Sequence, residues 1–310
     1  HTERIRVNDT CISLADWERI YDQYEGLFSL HKMTMFEMDL WMSLAYFIEQ
    51  QVDYCIIEAG MGGRLDATTA LDYKACLITN VGLDHTEYLG DTFEQIAYEK
   101  SGIFKPNVPA LTTEDKPECQ KVMKLVADYM NTPLCFIDCQ ETDVIRWNGM
   151  TFHLNPPLYQ AKNLSLALET LNVLGIWLEE NEIQEVIDHF QWAGRFMILR
   201  KDPLVLLDGA HNVHGITALT HSLKDFKGKI YFSVLKEKDA PHMIELLQTI
   251  SKDITLVEIS SARLYPLEKL GYPIITVDEL ISRLLDTKED SLLCGSLYYV
   301  GEVLEKWGNV

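Results

Sequence analysis

Two short apolar runs, each ending in a glycine-bearing turn, constrain this chain more than any other feature. Val52-Asp53-Tyr54-Cys55-Ile56-Ile57 leads into Glu58 and Ala59-Gly60-Met61-Gly62-Gly63, and Ala75-Cys76-Leu77-Ile78-Thr79-Asn80-Val81 leads into Gly82-Leu83-Asp84-His85. Near-continuous apolar runs of this length, bounded by glycine, predict strands of a parallel sheet covered on both faces. Ligands of open α/β sheets gather beyond the carboxyl ends of such strands, which makes Glu58 and His85 the first residues to ask about chemistry.

Helical periodicity fills the intervals. Residues 36–51 place Leu40, Leu44, Phe47 and Ile48 on one face, and Asp91-Thr92-Phe93-Glu94 reads as a capping box, with Asp91 as N-cap, opening a helix towards Lys100. Further helices are expected over 117–130, 161–174 and 183–190, a short strand over 134–137, and a hairpin over 144–153 around Asn148-Gly149. A second α/β series follows Gly194-Arg195-Phe196. Its strands are expected at 197–200, 204–207, 229–234, 254–259, 274–277 and 292–294, separated by helices at 215–223, 240–251 and 277–285. The expected architecture is α/β with two doubly wound domains, divided near Trp192–Gly194 into 1–192 and 193–310.

The formal net charge is −20, which disfavours nucleic acid and anionic membranes as partners and obliges an anionic substrate to find local cations or clustered N–H donors. No apolar run reaches bilayer length and no signal segment opens the chain, so a soluble, cytoplasmic protein is expected. The seven cysteines include no Cys-x-x-Cys. Cys55 and Cys76 lie within the apolar runs and are expected in the core; Cys135 and Cys139 lack the further ligands a metal site needs.

Four constellations stand at strand or helix ends. Glu58 to Thr68 has glycines that let backbone approach a ligand, or is a plain strand-to-helix turn. Gly82-Leu83-Asp84-His85 ends the next run; if the two strands are neighbours, Glu58 and His85 face the same crevice and suit a divalent cation, or His85 belongs to an ordinary loop. Lys100, before Gly102, suits either chemistry or simple compensation of the helix dipole. Leu207-Asp208-Gly209-Ala210-His211-Asn212 could hold ribose and phosphates at a helix start, or be another Asp/Gly turn. Gly-x-x-x-x-Gly-Lys-Ser/Thr, Gly-x-Ser-x-Gly and His-Glu-x-x-His are absent from these 310 residues, which weakens hydrolase and kinase readings.

Taken in order, Glu3 to Asn8, Phe36-Glu37, Glu58 to Thr68 (EAGMGGRLDAT), Ile78 to Gly90 (ITNVGLDHTEYLG), Glu99 to Phe104 (EKSGIF), Gln160-x-x-Asn163, Gly194-Arg195-Phe196, Asp208 to Asn212 (DGAHN) and Gly295 to Tyr298 resemble the folylpolyglutamate/dihydrofolate synthase branch of the Mur-ligase superfamily. The resemblance spans the chain. It implies a Mur-ligase-type ATPase domain followed by a Rossmann-like ligase domain. It also implies ATP and Mg²⁺, with K⁺ as a further candidate cofactor, and a monomer acting on folate and L-glutamate. By that resemblance Glu58 and His85 are Mg²⁺ ligands, and Lys100 is a lysine that some relatives carbamylate to make a metal ligand. Asn163, Arg195, Asp208 and His211 match nucleotide-holding positions, with Lys100, His85 and Arg195 as the catalytic set. The implied reaction phosphorylates a folate carboxylate with ATP. The amine of L-glutamate then attacks the acyl phosphate, giving an amide, ADP and phosphate.

Three departures accompany the resemblance. The family's phosphate-binding loop is missing, and His1 leads straight into the strand-like Glu3 to Val7; an N-terminally truncated, inactive chain is therefore expected. Tyr159 stands where relatives often have His, and Val213 where they often have Pro. Two other readings remain open at this level: a Mur-type ligase for another carboxylate, and a non-catalytic nucleotide-binding relative.

Overall fold

A computed structural model describes residues 2–139, 142–155 and 157–308, so that His1 lies outside the described residues. The chain divides into two compact units, His1–Phe136 and Ile137–Val310.

The first unit opens with a 3-10 turn at Thr2–Arg4 and a hairpin of β1 (Arg6–Val7) and β2 (Thr10–Cys11), shorter than the strand expected over Glu3 to Val7. Helix α1 (Leu14–His31) begins at Ser13, whose hydroxyl accepts from the Asp16 N–H, and stops where Lys32 turns left-handed. Helix α2 (Met35–Glu49) starts with a reciprocal capping box between Thr34 and Glu37. Ile5, Ile12, Ile20, Phe28 and Met42 pack these elements into one small core.

Beyond them come β3 (Cys76–Ile78), the single turn α3 (Thr86–Leu89), α4 (Phe93–Ser101), β4 (Ala110–Thr112), α5 (Pro117–Met130) and β5 (Leu134–Phe136). The strands form a parallel sheet in the order β3-β4-β5, with Ile78 opposite Thr112 and Thr112 opposite Phe136. Cys76, Ile78, Val81, Ile96, Phe104 and Met123 are its core. The capping box of α4 is one residue later than expected: Thr92 is the N-cap and Gln95, not Glu94, reaches back. Both frames hold an acceptor followed three residues on by an acid or amide, and the backbone takes the later one.

The run from Val52 to Ile57 is not a strand. It pairs with no strand among the described residues, and Tyr54 and Ile56 are 66% and 93% exposed. Apolar content alone cannot supply the ladder partner a strand requires. Cys55 is accordingly exposed, against the expectation of a core thiol, whereas Cys76 is buried in β3.

The second unit begins with the expected hairpin, β6 (Val144–Trp147) and β7 (Met150–His153), turning at Asn148 and Gly149 with φ of 49° and 83°. Helices α6 (Gln160–Leu174) and α7 (Glu180–His189) close over it around Phe152, Leu168 and Ile183. A six-stranded sheet follows, built from β8 (Met197–Lys201), β9 (Leu204–Asp208), β10 (Lys229–Phe232), β11 (Ile254–Glu258), β12 (Ile274–Thr276) and β13 (Ser291–Cys294), in the order β12-β11-β10-β13-β9-β8. All neighbours are parallel except β8, which returns antiparallel along the edge. Alternate residues feed two cores. Leu206, Ile230, Phe232, Leu256 and Leu292 face α8 (Val213–Ser222) and α9 (Ala240–Leu247), while Leu207, Tyr231, Val257 and Leu293 face α10 (Val277–Asp286) and α11 (Leu297–Trp307). Each such side chain withdrawn from water contributes about 1.5–3 kcal/mol. This double cover is the doubly wound α/β arrangement read from the sequence. No helix among the described residues is long and apolar enough to cross a membrane.

Candidate functional site

In the first unit the glycine-rich turn after Glu58 is held from inside by Asp66. Its Oδ2 accepts the N–H groups of Gly60 at 2.8 Å and Met61 at 3.0 Å. Its Oδ1 accepts from the Thr68 N–H at 3.0 Å and hydroxyl at 2.6 Å. The turn is also locked to the end of α4. The Arg64 N–H donates to the Glu99 carbonyl at 2.8 Å, and its guanidinium donates twice to Glu99 Oε1, at 3.0 and 2.9 Å. Gly102 makes this approach possible, because a Cβ there would stand 2.3 Å from Arg64 Cα. At Gly63 a Cβ would stand 2.8 Å from the Lys100 carbonyl oxygen. The glycines serve close packing of loop against helix.

That lock fixes Lys100 in the last turn of α4. Burial pushes its ammonium pKa down, while the carboxylates of Asp84 and Glu58 push it back up. Lys100 thus shares an electrostatic environment with Glu58 and Asp84, residues from the two segments singled out in the sequence. His85 follows Asp84 and takes a left-handed backbone, φ 51° and ψ 38°, with its N–H on Asp84 Oδ1 at 2.9 Å. A non-glycine residue in this region carries strain of about 1–3 kcal/mol.

Among the described residues no group of three or more His, Cys, Asp or Glu side chains gathers tightly enough to hold a metal ion. The chemistry still suits a hard divalent cation: two carboxylates already act on a half-buried positive charge, and Mg²⁺ prefers oxygen donors and keeps several waters. Cys135 is exposed, and Cys139 lies 3.1 Å from the Ser165 hydroxyl.

In the second unit Asp208 ends β9 and is 3% exposed. Its Oδ2 accepts the Phe196 N–H and its Oδ1 the Ala210 N–H, both at 2.7 Å, and the Tyr159 hydroxyl lies 3.4 Å from Oδ2. Burial raises the carboxyl pKa against the pull of those two backbone donors and of Arg195. Burial chiefly, and then the neighbouring Asp208, raises the Tyr159 phenol as well. Asp208 therefore braces the turn that carries Arg195. The Gly209 N–H on the Gly194 carbonyl, 2.7 Å, closes the same turn, and a Cβ at Gly209 would stand 2.5 Å from Arg195 Nη1. His211 Nδ1 donates to the Gly209 carbonyl at 2.9 Å, and Asn212 caps α8 through the Gly215 N–H at 2.8 Å. Arg195, Asp208 and His211 thus gather at one strand end. Asn163 is exposed on the first turn of α6, its amide on Gln160 Oε1 at 2.8 Å.

The sequence reading gave no role to Asp66, Asp84, Arg64 or Glu99, and treated Tyr159 only as a departure. An acid following three glycines within a turn is the signal that could have marked Asp66. The Arg64–Glu99 pair spans 35 residues and leaves no local pattern.

The family model described as the Mur ligase middle domain matches residues 18–158. The dihydrofolate synthase/folylpolyglutamate synthase of Buchnera aphidicola subsp. Acyrthosiphon pisum is 30% identical over an alignment covering 97% of this chain and 79% of that protein. Among solved structures, Escherichia coli FolC in complex with ADP aligns with a TM-score of 0.89 and 28% identity, covering 99% of this chain and 80% of that one. The bifunctional folylpolyglutamate synthase/dihydrofolate synthase of Yersinia pestis, complexed with AMPPNP and Mn ion, aligns at 0.88 and 25% identity, covering 99% and 79%.

Proposed function

The chain belongs to the dihydrofolate synthase/folylpolyglutamate synthase family, and from that premise we propose that it serves an ATP-dependent, ADP-forming ligase that joins L-glutamate to a folate carboxylate. The observation that carries the reading is the half-buried Lys100 ammonium under the influence of Glu58 and Asp84. With a formal net charge of −20, this chain can receive ATP only where cations are concentrated. The carboxylates of Glu58 and Asp84 provide for a divalent cation, and the Arg195 turn provides a fixed positive charge.

In this proposal Glu58 and His85 hold Mg²⁺. Lys100 either offsets their charge as an ammonium or, once its neutral amine has added CO₂ and released a proton, offers a carbamate oxygen. Its lowered pKa favours the neutral amine that this addition needs. Mg²⁺, when bound, offsets charge on the transferring phosphoryl group. Arg195 acts as the electrostatic clamp, Asp208 keeps that clamp's turn in place and anchors nucleotide, and Asn163 and His211 offer polar contacts to it. The donor is an acyl phosphate of the folate and the acceptor is the amine of L-glutamate. K⁺ is included as an accessory cation. The proposal further places the protein as a monomer in the cytoplasm, to be read by light scattering and cell fractionation.

The experiment is phosphate release from ATP with Mg²⁺, L-glutamate and a reduced folate or dihydropteroate, omitting each in turn. Release requiring all components supports the reading, and release indifferent to the folate overturns it. Because these 310 residues contain no Gly-x-x-x-x-Gly-Lys-Ser/Thr loop, we extend the proposal to a turnover by this chain alone that is far below ordinary ligase rates but keeps the same component requirements. Turnover at ordinary ligase rates would refute that extension. Carbon-13 NMR with labelled bicarbonate reads the Lys100 carbamate directly, and its absence would leave the ammonium role.

A further inference from the structure

Glu114 is the most completely buried carboxylate described outside the Lys100 and Asp208 groups. The whole residue is 2% exposed and its side chain not at all. It lies two residues beyond the end of β4, and every polar group it owns is engaged. Its N–H donates to the Thr112 hydroxyl at 3.0 Å and its carbonyl accepts the Gln120 amide at 2.8 Å. One carboxylate oxygen accepts the Lys116 N–H at 2.8 Å and the Lys116 ammonium at 3.2 Å. The other accepts the Val81 N–H at 2.5 Å, across a separation of 33 residues. Beside it, Thr113 donates its hydroxyl to the Thr79 carbonyl at 2.6 Å.

Both long-range bonds land on the backbone between the end of β3 and Gly82-Leu83-Asp84-His85. Val81 is itself fully buried, so its peptide is the last firmly held point before the chain turns out to Asp84 and His85. The same carboxylate is tied through Lys116 to α4, because the Lys116 ammonium lies 5.3 Å from the ring centroid of Phe93, the first residue of that helix. Lys100 lies in the last turn of α4. A buried carboxylate is costly unless its hydrogen bonds are complete, and a hydrophobic side chain would fill the same space more cheaply. Fold stability alone therefore does not account for an ionisable group here. Fixing the chain beyond β3 against the start of α4 does.

We propose that Glu114, assisted by Thr113, is a positioning residue that holds the Thr79–Val81 backbone so that Asp84 and His85 present their side chains to a divalent cation. It touches neither cation nor substrate. The inference rests on the metal-facing reading of Glu58 and His85 given above, and its test separates the two.

Mn²⁺ binding to the full 310-residue chain, with ADP present, is measured by electron paramagnetic resonance for wild type, E58Q, H85N, E114A, E114Q and T113V. Thermal unfolding of each variant is followed alongside. Loss of a residue that orients a ligand typically weakens metal affinity by about tenfold or more, which is the expected result for E114A. E114Q should recover part of it, since its amide oxygen can still accept from Val81. T113V should weaken binding about threefold, in line with one hydrogen bond, and it decides the matter if E114A does not fold. Wild-type Mn²⁺ affinity in folded E114A, E114Q and T113V, with E58Q and H85N impaired, would overturn the positioning role and leave the metal site standing. Binding that neither E58Q nor H85N disturbs would overturn the metal reading, and this inference with it.

Discussion

Two carboxylates, Asp66 and Asp208, do similar work in the two units: each gathers backbone N–H groups of a tight turn and so fixes side chains that flank it. For Asp66 those are Glu58 and Arg64; for Asp208 they are Arg195 and His211. The thiols give the residue scale its prediction. Burial pushes Cys76 up to about 11 and Cys119 up to about 12, which leaves about one thiolate in a thousand or fewer at pH 8. Cys11, Cys55 and Cys135 are exposed. Alkylation of the native protein at pH 8, read by mass spectrometry, should modify those three quickly and spare Cys76 and Cys119 until urea is added. Rapid native labelling of Cys76 would contradict the packing of β3. At this scale the sequence points to Glu58, His85, Lys100 and Asp208 because all stand at the ends of apolar or helical segments. It did not disclose Glu114 or the Arg64–Glu99 pair, whose meaning lies in partners more than 30 residues away.

At the scale of elements, the joint between the glycine-rich turn and α4 is the place where substitution should matter most. Gly102 has an ordinary helical φ of −62°, so alanine there meets no backbone strain, only the backbone and Cβ of Arg64. G102A should cost about 1–3 kcal/mol, the usual range for forced overpacking. Gly26, in the middle of α1, has nothing within 4 Å of a Cβ, and G26A should add about 0.5–1 kcal/mol through helix propensity. Urea unfolding of both variants measures the contrast, and equal effects would refute the joint. The strands of the second unit were legible because double cover makes them read as unbroken apolar runs, as in Leu204 to Leu207 and Leu292 to Cys294. Helix α5 and the Asn148-Gly149 hairpin were legible from local chemistry, Pro117 at a helix start and a turn dipeptide. Helices α1 and α11 escaped notice: polar and aromatic residues crowd the α1 pattern, and α11 follows a strand with only Ser296 as its cap. The Val52 to Ile57 run misled because partners, not composition, make a strand.

For the whole molecule, the formal net charge of −20 and the Val52 to Ile57 run pull in opposite directions. Like charge keeps separate molecules apart over a distance set by salt, about 8 Å at physiological ionic strength. The run offers a largely exposed apolar segment with Asp53 as its one charge, the kind of stretch that templates pairing between chains. The exposure of Ile56 thus becomes a statement about colloidal behaviour. At low ionic strength electrostatic repulsion should keep the protein dispersed, and raising salt should uncover attraction through this segment. Light scattering at increasing concentration should show association growing with sodium chloride, and I56K should blunt it without altering circular dichroism. Scattering that salt does not change would place the sticky surface elsewhere. Storage and crystallisation conditions for this chain are then governed by six residues that take no part in its chemistry.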